Sequence, residues 1–112
     1  MGGNQGCSSL AAGAMTLGVV FRRAARREFD DAADRYDEQR PGLGEEFIVE
    51  IDQAVAKAAA APERYPIVFG EVRRAVARRF PFSVYSRVRR DSMVVLSVFH
   101  GRRNPAIWQR RV

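Results

Sequence analysis

Apolar positions change their spacing twice along this chain. "TLGVVF" (residues 16–21) is short and rich in β-branched side chains, which predicts a first strand. From residue 22 to 40 the spacing is helical: Ala25, Phe29, Ala32 and Tyr36 fall four, three and four residues apart and share one face. Pro41-Gly42 stops that helix. Leu43, Phe47, Ile51, Ala54 and Ala58 then carry the stripe through a second helix ending near Pro62. Two amphipathic helices joined by so short a turn predict an antiparallel hairpin. Its Ala-rich stripe suits close packing on a sheet. Its outer acidic groups, Asp30, Asp31, Asp34, Asp37 and Glu38, read as a solvated face.

Beyond the proline-bounded connector "APERYP" (61–66) the period drops to two. "EVRRAVARRF" (71–80) predicts a strand, broken by Pro81. "FSVYSRV" (82–88) predicts another, with Phe82, Val84 and Val88 on one side and Tyr85 and Arg87 on the other. "RRDS" (89–92) is a turn with Asp91 as its expected pivot. "MVVLSVF" (93–99) is apolar on both faces, as a central strand should be. "NPAIWQRR" reads as a short terminal turn or helix. The order predicts an α+β fold: an N-terminal strand, an antiparallel helical hairpin packed on a small, mainly antiparallel sheet of about four strands (β-α-α-β-β-β), and a short tail. The first strand is expected to pair with the last or to sit at an edge. The helices cover one sheet face, and the other is left for function.

Composition adds a partner class. The 112 residues suit one domain, 15–112, behind a disordered leader at 1–14 for which Met15 is the natural beginning. The leader only loosely resembles a signal peptide, lacking a positive first segment. Of 19 basic residues 18 are arginine. Residues 1–69 carry 8 basic and 11 acidic groups, and residues 70–112 carry 11 basic and 2 acidic ones. So basic a second half implies an acidic partner, either nucleic acid or an acidic protein segment. The lone Cys7 allows no internal disulfide and fits a reducing cytoplasm. No apolar run is long enough to span a bilayer, so no membrane role is expected.

Four motifs stand in order: Pro62, Tyr65 and Pro66 in the connector; Arg73 opening a strand; the run from Phe80 to Tyr85; and the ending His100, Arg103, Pro105, Trp108. Together they make residues 18–111 resemble the RelE/ParE superfamily of type II toxins, closer to its ParE-like branch. The resemblance implies a toxin of a chromosomal or plasmid-stabilising module, neutralised by a cognate antitoxin with an acidic C-terminal segment. It implies growth inhibition through DNA gyrase in the ParE-like branch. In the RelE-like alternative it implies ribosome-dependent cleavage of mRNA. Neither calls for a cofactor or a metal.

The residues weigh against an enzyme. RNA cleavage through the 2′-OH needs a base, an acid and cations. The strand half has no lysine, and arginine stays protonated. His100 is the one conventional base, with Arg73, Arg87, Arg103 and Tyr85 as further catalytic candidates. Each also has a structural reading: His100 as a strand cap, Tyr85 as packing, Trp108 as a lid over the core edge. For antitoxin or target binding the candidates are Arg73, Arg78, Arg79, Arg102, Arg103 and Trp108. Alternation sets Arg74 and Arg78 beside Val72 and Val76, and Arg73 and Arg79 on the opposite face. Unpaired buried charges are costly, so one face must reach solvent or an anionic partner. Arg73 matches the family's arginine, which favours its face as the open one. A third reading is a degenerate toxin kept only as a binding module.

Overall fold

A computed structural model describes residues 17–112, so the leader predicted at 1–14 lies outside the described residues. The elements are β1 (Gly18–Phe21), α1 (Arg23–Gln39), α2 (Leu43–Ala60), a 3-10 turn (Pro62–Arg64), β2 (Ile67–Phe69), β3 (Val72–Val76), β4 (Phe82–Arg89), β5 (Ser92–His100) and α3 (Ala106–Gln109). The sheet order is β1-β5-β4-β3-β2. β1 runs parallel to β5 at one edge, and the other pairs are antiparallel.

The helical hairpin forms as its stripe predicts. Ala25, Phe29 and Ala32 of α1 are buried, as are Phe47, Ile51 and Ala58 of α2. Asp37, exposed as expected, has a second task at the turn. Its Oδ1 accepts the backbone N–H groups of Gly42 (3.2 Å) and Gly44 (2.8 Å). The carboxylate of one helix thus caps the next, whose Gly42 has no side chain to do so. Gly42 itself takes φ +91°, a conformation open to glycine.

The sheet differs from expectation in three places. β2 is a fifth strand, too short between Pro66 and Gly70 to show a period. β3 stops at Val76, because the Ala77 N–H bond to Phe82 O (2.9 Å) closes the ladder and residues 78–81 turn. The β4–β5 turn pivots on Arg90 at φ 58°, not on Asp91.

Two apolar clusters sandwich the sheet. On the helix side Phe47 is fully buried, with ring centroids of Phe29, Tyr36, Phe80 and Phe82 at 5.0–5.9 Å. On the other side Val72, Tyr85, Leu96, Phe99 and Trp108 form a second cluster. The face expected to be free is therefore partly covered by α3. A central strand apolar on both faces requires cover on both.

A bulge divides β5. Tyr85 lies opposite Ser97 and Ser86 opposite Val95, which leaves Leu96 unpaired between them. β1 accompanies β5 only from Ser92 to Val95. Beyond that point side chains replace the missing strand. Glu28 accepts the Val98 N–H (3.2 Å) and the Ser97 hydroxyl (2.9 Å), while Arg111 donates to Leu96 O (3.1 Å). The two groups pair with each other at 2.9 Å, so the tail is tied over the sheet edge to α1.

Candidate functional site

The arginines after Gly70 are largely free of internal carboxylates. Among the described residues three ion pairs form: Arg40–Glu46, Arg79–Glu46 and Arg111–Glu28. Of the eleven guanidinium groups in residues 70–112, only those of Arg79 and Arg111 meet a carboxylate.

The candidate residues fall in three places. Tyr85, His100, Arg103 and Trp108 border a recess of about 250 Å³ on the α3 side, joined there by Arg74. Tyr85 and Trp108 stack with centroids 4.1 Å apart, and Trp108 is 2% exposed. The Trp108 indole N–H is buried without a partner. Arg103 is exposed and lays its guanidinium 4.7 Å over Phe99, a cation–π contact that holds the charge at the rim. Arg102 is exposed in the same turn.

Arg73 and Arg87 line a separate pinhole of about 10 Å³ beside Ala58 and Met93. Arg73 is half-buried and donates to Tyr65 O at 2.6 Å. Its strand neighbour Ala75 belongs to the helix-side core. Arg73 therefore lies on the covered face, and the expectation that its face is the open one is corrected. Alternation had already put Arg74 beside Val72, which packs in the cluster opposite the helices.

Arg78 and Arg79 lie in the turn after β3, at a groove of about 520 Å³ between β3 and α2. Both backbone N–H groups reach Glu50 Oε2, and the Arg79 guanidinium reaches Glu46 at 2.7 Å. The Arg79 side chain holds the Glu46 carboxyl below the usual range, and the Arg79 backbone N–H does the same for Glu50. His100 also borders a fourth opening, a cleft of about 550 Å³ against α1 that Tyr36 lines. Burial raises the Tyr36 phenol above its ordinary value, partly opposed by Arg35.

This arrangement limits acid–base chemistry. His100 Nδ1 accepts the backbone N–H of Arg102 at 3.0 Å. The neutral ring then carries its proton on Nε2, which makes it a donor at the recess rather than a ready base. The catalytic candidates Arg73 and Arg87 do not line the recess that His100, Arg103 and Tyr85 border. Arg74, Arg111 and Glu28 were not singled out by sequence. Arg74 was legible from alternation alone, whereas the Glu28–Arg111 pair spans 83 residues and leaves no local signal.

The family model described as ParE toxin of type II toxin-antitoxin system, parDE, matches residues 19–105. Among solved structures, the chromosomal ParDE TA system from P. aeruginosa is similar at a TM-score of 0.68 and 20% identity, covering 77% of this chain and 97% of that one. No curated protein matches.

Proposed function

The chain belongs to the ParE toxin family of type II toxin–antitoxin systems, and on that premise we propose that it arrests growth by poisoning DNA gyrase and is neutralised by a cognate antitoxin. The place of action is the cytoplasm. The observation that carries this reading is the set of guanidinium groups in residues 70–112 that no internal carboxylate satisfies. A field of that sign attracts an acidic segment and speeds its docking. The antitoxin's acidic C-terminal segment meets Arg78 on one side, next to the Glu46-paired Arg79, and Arg102 and Arg103 on the other. Trp108 and Arg73 support those surfaces from beneath, through the Tyr85 stack and the Tyr65 carbonyl. Gyrase is favoured over the ribosome because His100 is set up as a donor and Arg73 and Arg87 do not line the recess it borders.

Induction of the chain alone should stop growth, and co-expression of the antitoxin encoded beside it should restore growth. Purified chain should inhibit supercoiling by gyrase while translated transcripts stay intact in primer extension. Cleaved transcripts, with cleavage lost in His100→Ala, would replace this reading by an mRNA endoribonuclease. Normal growth under clean induction would overturn both.

A further inference from the structure

The outer side of β1 is an unpaired strand edge. Its even-numbered residues turn toward β5: the Gly18 N–H reaches Asp91 O (3.3 Å), and the Arg22 N–H just beyond the strand reaches Val95 O (2.9 Å). The odd-numbered residues therefore turn their N–H and C=O groups outward. Leu17 confirms the direction, since its N–H bonds Ala59 O (3.2 Å) near the end of α2. Val19 and Phe21 have no outward partner among the described residues. On this side of the sheet Ala59 closes the start of β1, and Glu28 with Arg111 closes β5 beyond it. The stretch between lies open.

Natural sheets blunt such an edge with charge, proline or a bulge. Gly18–Phe21 reads GVVF and carries none of these. Val19 and Val20 are 40% and 51% exposed. A guanidinium stands at one end of the edge and a carboxylate at the other: Arg22 follows the strand, and Asp91 lies beside its first residue. Both are exposed, and neither is in an ion pair among the described residues.

These features complement themselves across a twofold axis. Antiparallel pairing centred on Val20 sets the Val19 N–H and C=O against the C=O and N–H of the second copy's Phe21, and the reverse. Val20 then meets the second copy's Val20. Arg22 comes opposite Gly18, which has no side chain and open space around it, so the guanidinium passes over it to the second copy's Asp91. An acidic segment would bring its carboxylates against Asp91, and a phosphate backbone has no N–H to donate.

We propose that β1 pairs with β1 of a second copy, joining two five-stranded sheets into one across a twofold axis. The proposal needs neither the gyrase nor the antitoxin reading. The strand is four residues long, so the dimer is reversible and depends on concentration.

Val19→Pro deletes an outward N–H that makes no internal bond, and proline is tolerated on a strand edge. Sedimentation equilibrium of the full chain should show a monomer–dimer equilibrium that Val19→Pro weakens about tenfold or more, with melting curves confirming the fold. Arg22→Asp and Asp91→Arg should each weaken the dimer, and the two together should restore it. Simple destabilisation gives no such rescue, and this readout stands even if Val19→Pro does not fold. Exchange of the Val19 and Phe21 amides in the native chain should slow as the dimer forms. A chain that stays monomeric up to about 1 mM, or a dimer that all these variants retain, overturns the assignment. Protection of the two amides in the monomer gives the edge to a segment of the same chain instead, and protection that needs added antitoxin gives it to that partner.

Discussion

The Glu28 carboxylate accepts the Val98 N–H, the Ser97 hydroxyl and the Arg111 guanidinium together. Removing it leaves the Val98 N–H and the Ser97 hydroxyl without an acceptor and the partly buried Arg111 guanidinium without its counter-charge. Glu28→Ala should therefore destabilise the fold by roughly 2–3 kcal/mol in urea titration, less than the ~3–5 kcal/mol for a broken, fully buried pair because some solvent reaches it. A double-mutant cycle with Arg111→Ala should show the two effects to be strongly non-additive. Additive losses would mean the pair does not act as one unit. Glu50 gives the pH counterpart. Its carboxyl is held below the usual range by the Arg79 backbone N–H. The stability this contributes is present above the ordinary carboxylate value and is lost as pH falls through the lowered one. The difference in Tm between native chain and Glu50→Ala should thus be largest near neutral pH and shrink as pH falls below the ordinary carboxylate range. A constant difference would contradict the linkage.

At the scale of elements, the helical hairpin is set by packing at its turn as much as by its stripe. A side chain at Gly44 would collide with the Ala33 carbonyl and the Asp37 carboxyl. Gly44→Ala should wedge α1 from α2 and cost about 1–3 kcal/mol, read as a lower urea midpoint with an unchanged slope. Unchanged stability would mean the helices separate freely there. The stripes of both helices were legible because a 3.6-residue period leaves a mark on every turn. β2 was not, since three residues between Pro66 and Gly70 cannot show a period of two. The strand expected over 71–80 ends four residues early, at Val76, since nothing local separates "VRRAV" from "ARRF" until Phe82 pairs with Ala77.

Over the whole molecule, charge is divided as the sequence divides it. The first half folds mainly into helices that carry most of the acid, and the second into strands whose turns and tail carry most of its arginine. If an acidic segment docks on that field, the association rate with antitoxin should fall about tenfold or more between low and high salt, with dissociation much less affected. A salt-independent association rate would argue for an apolar contact instead. Charge and periodicity are properties of neighbours in the chain, so the sequence by itself determined the α+β order, the hairpin and the cationic strand half. Which face each arginine occupies depends on where strands end, where β5 bulges and which distant group satisfies each edge. The closure of the β5 edge by Glu28 and Arg111, the burial of Trp108 on Tyr85, the covering of Arg73 and the open edge at Val19 were decided only by the tertiary structure. Each depends on a hydrogen bond or contact between residues far apart along the chain, and no local pattern records such a partner.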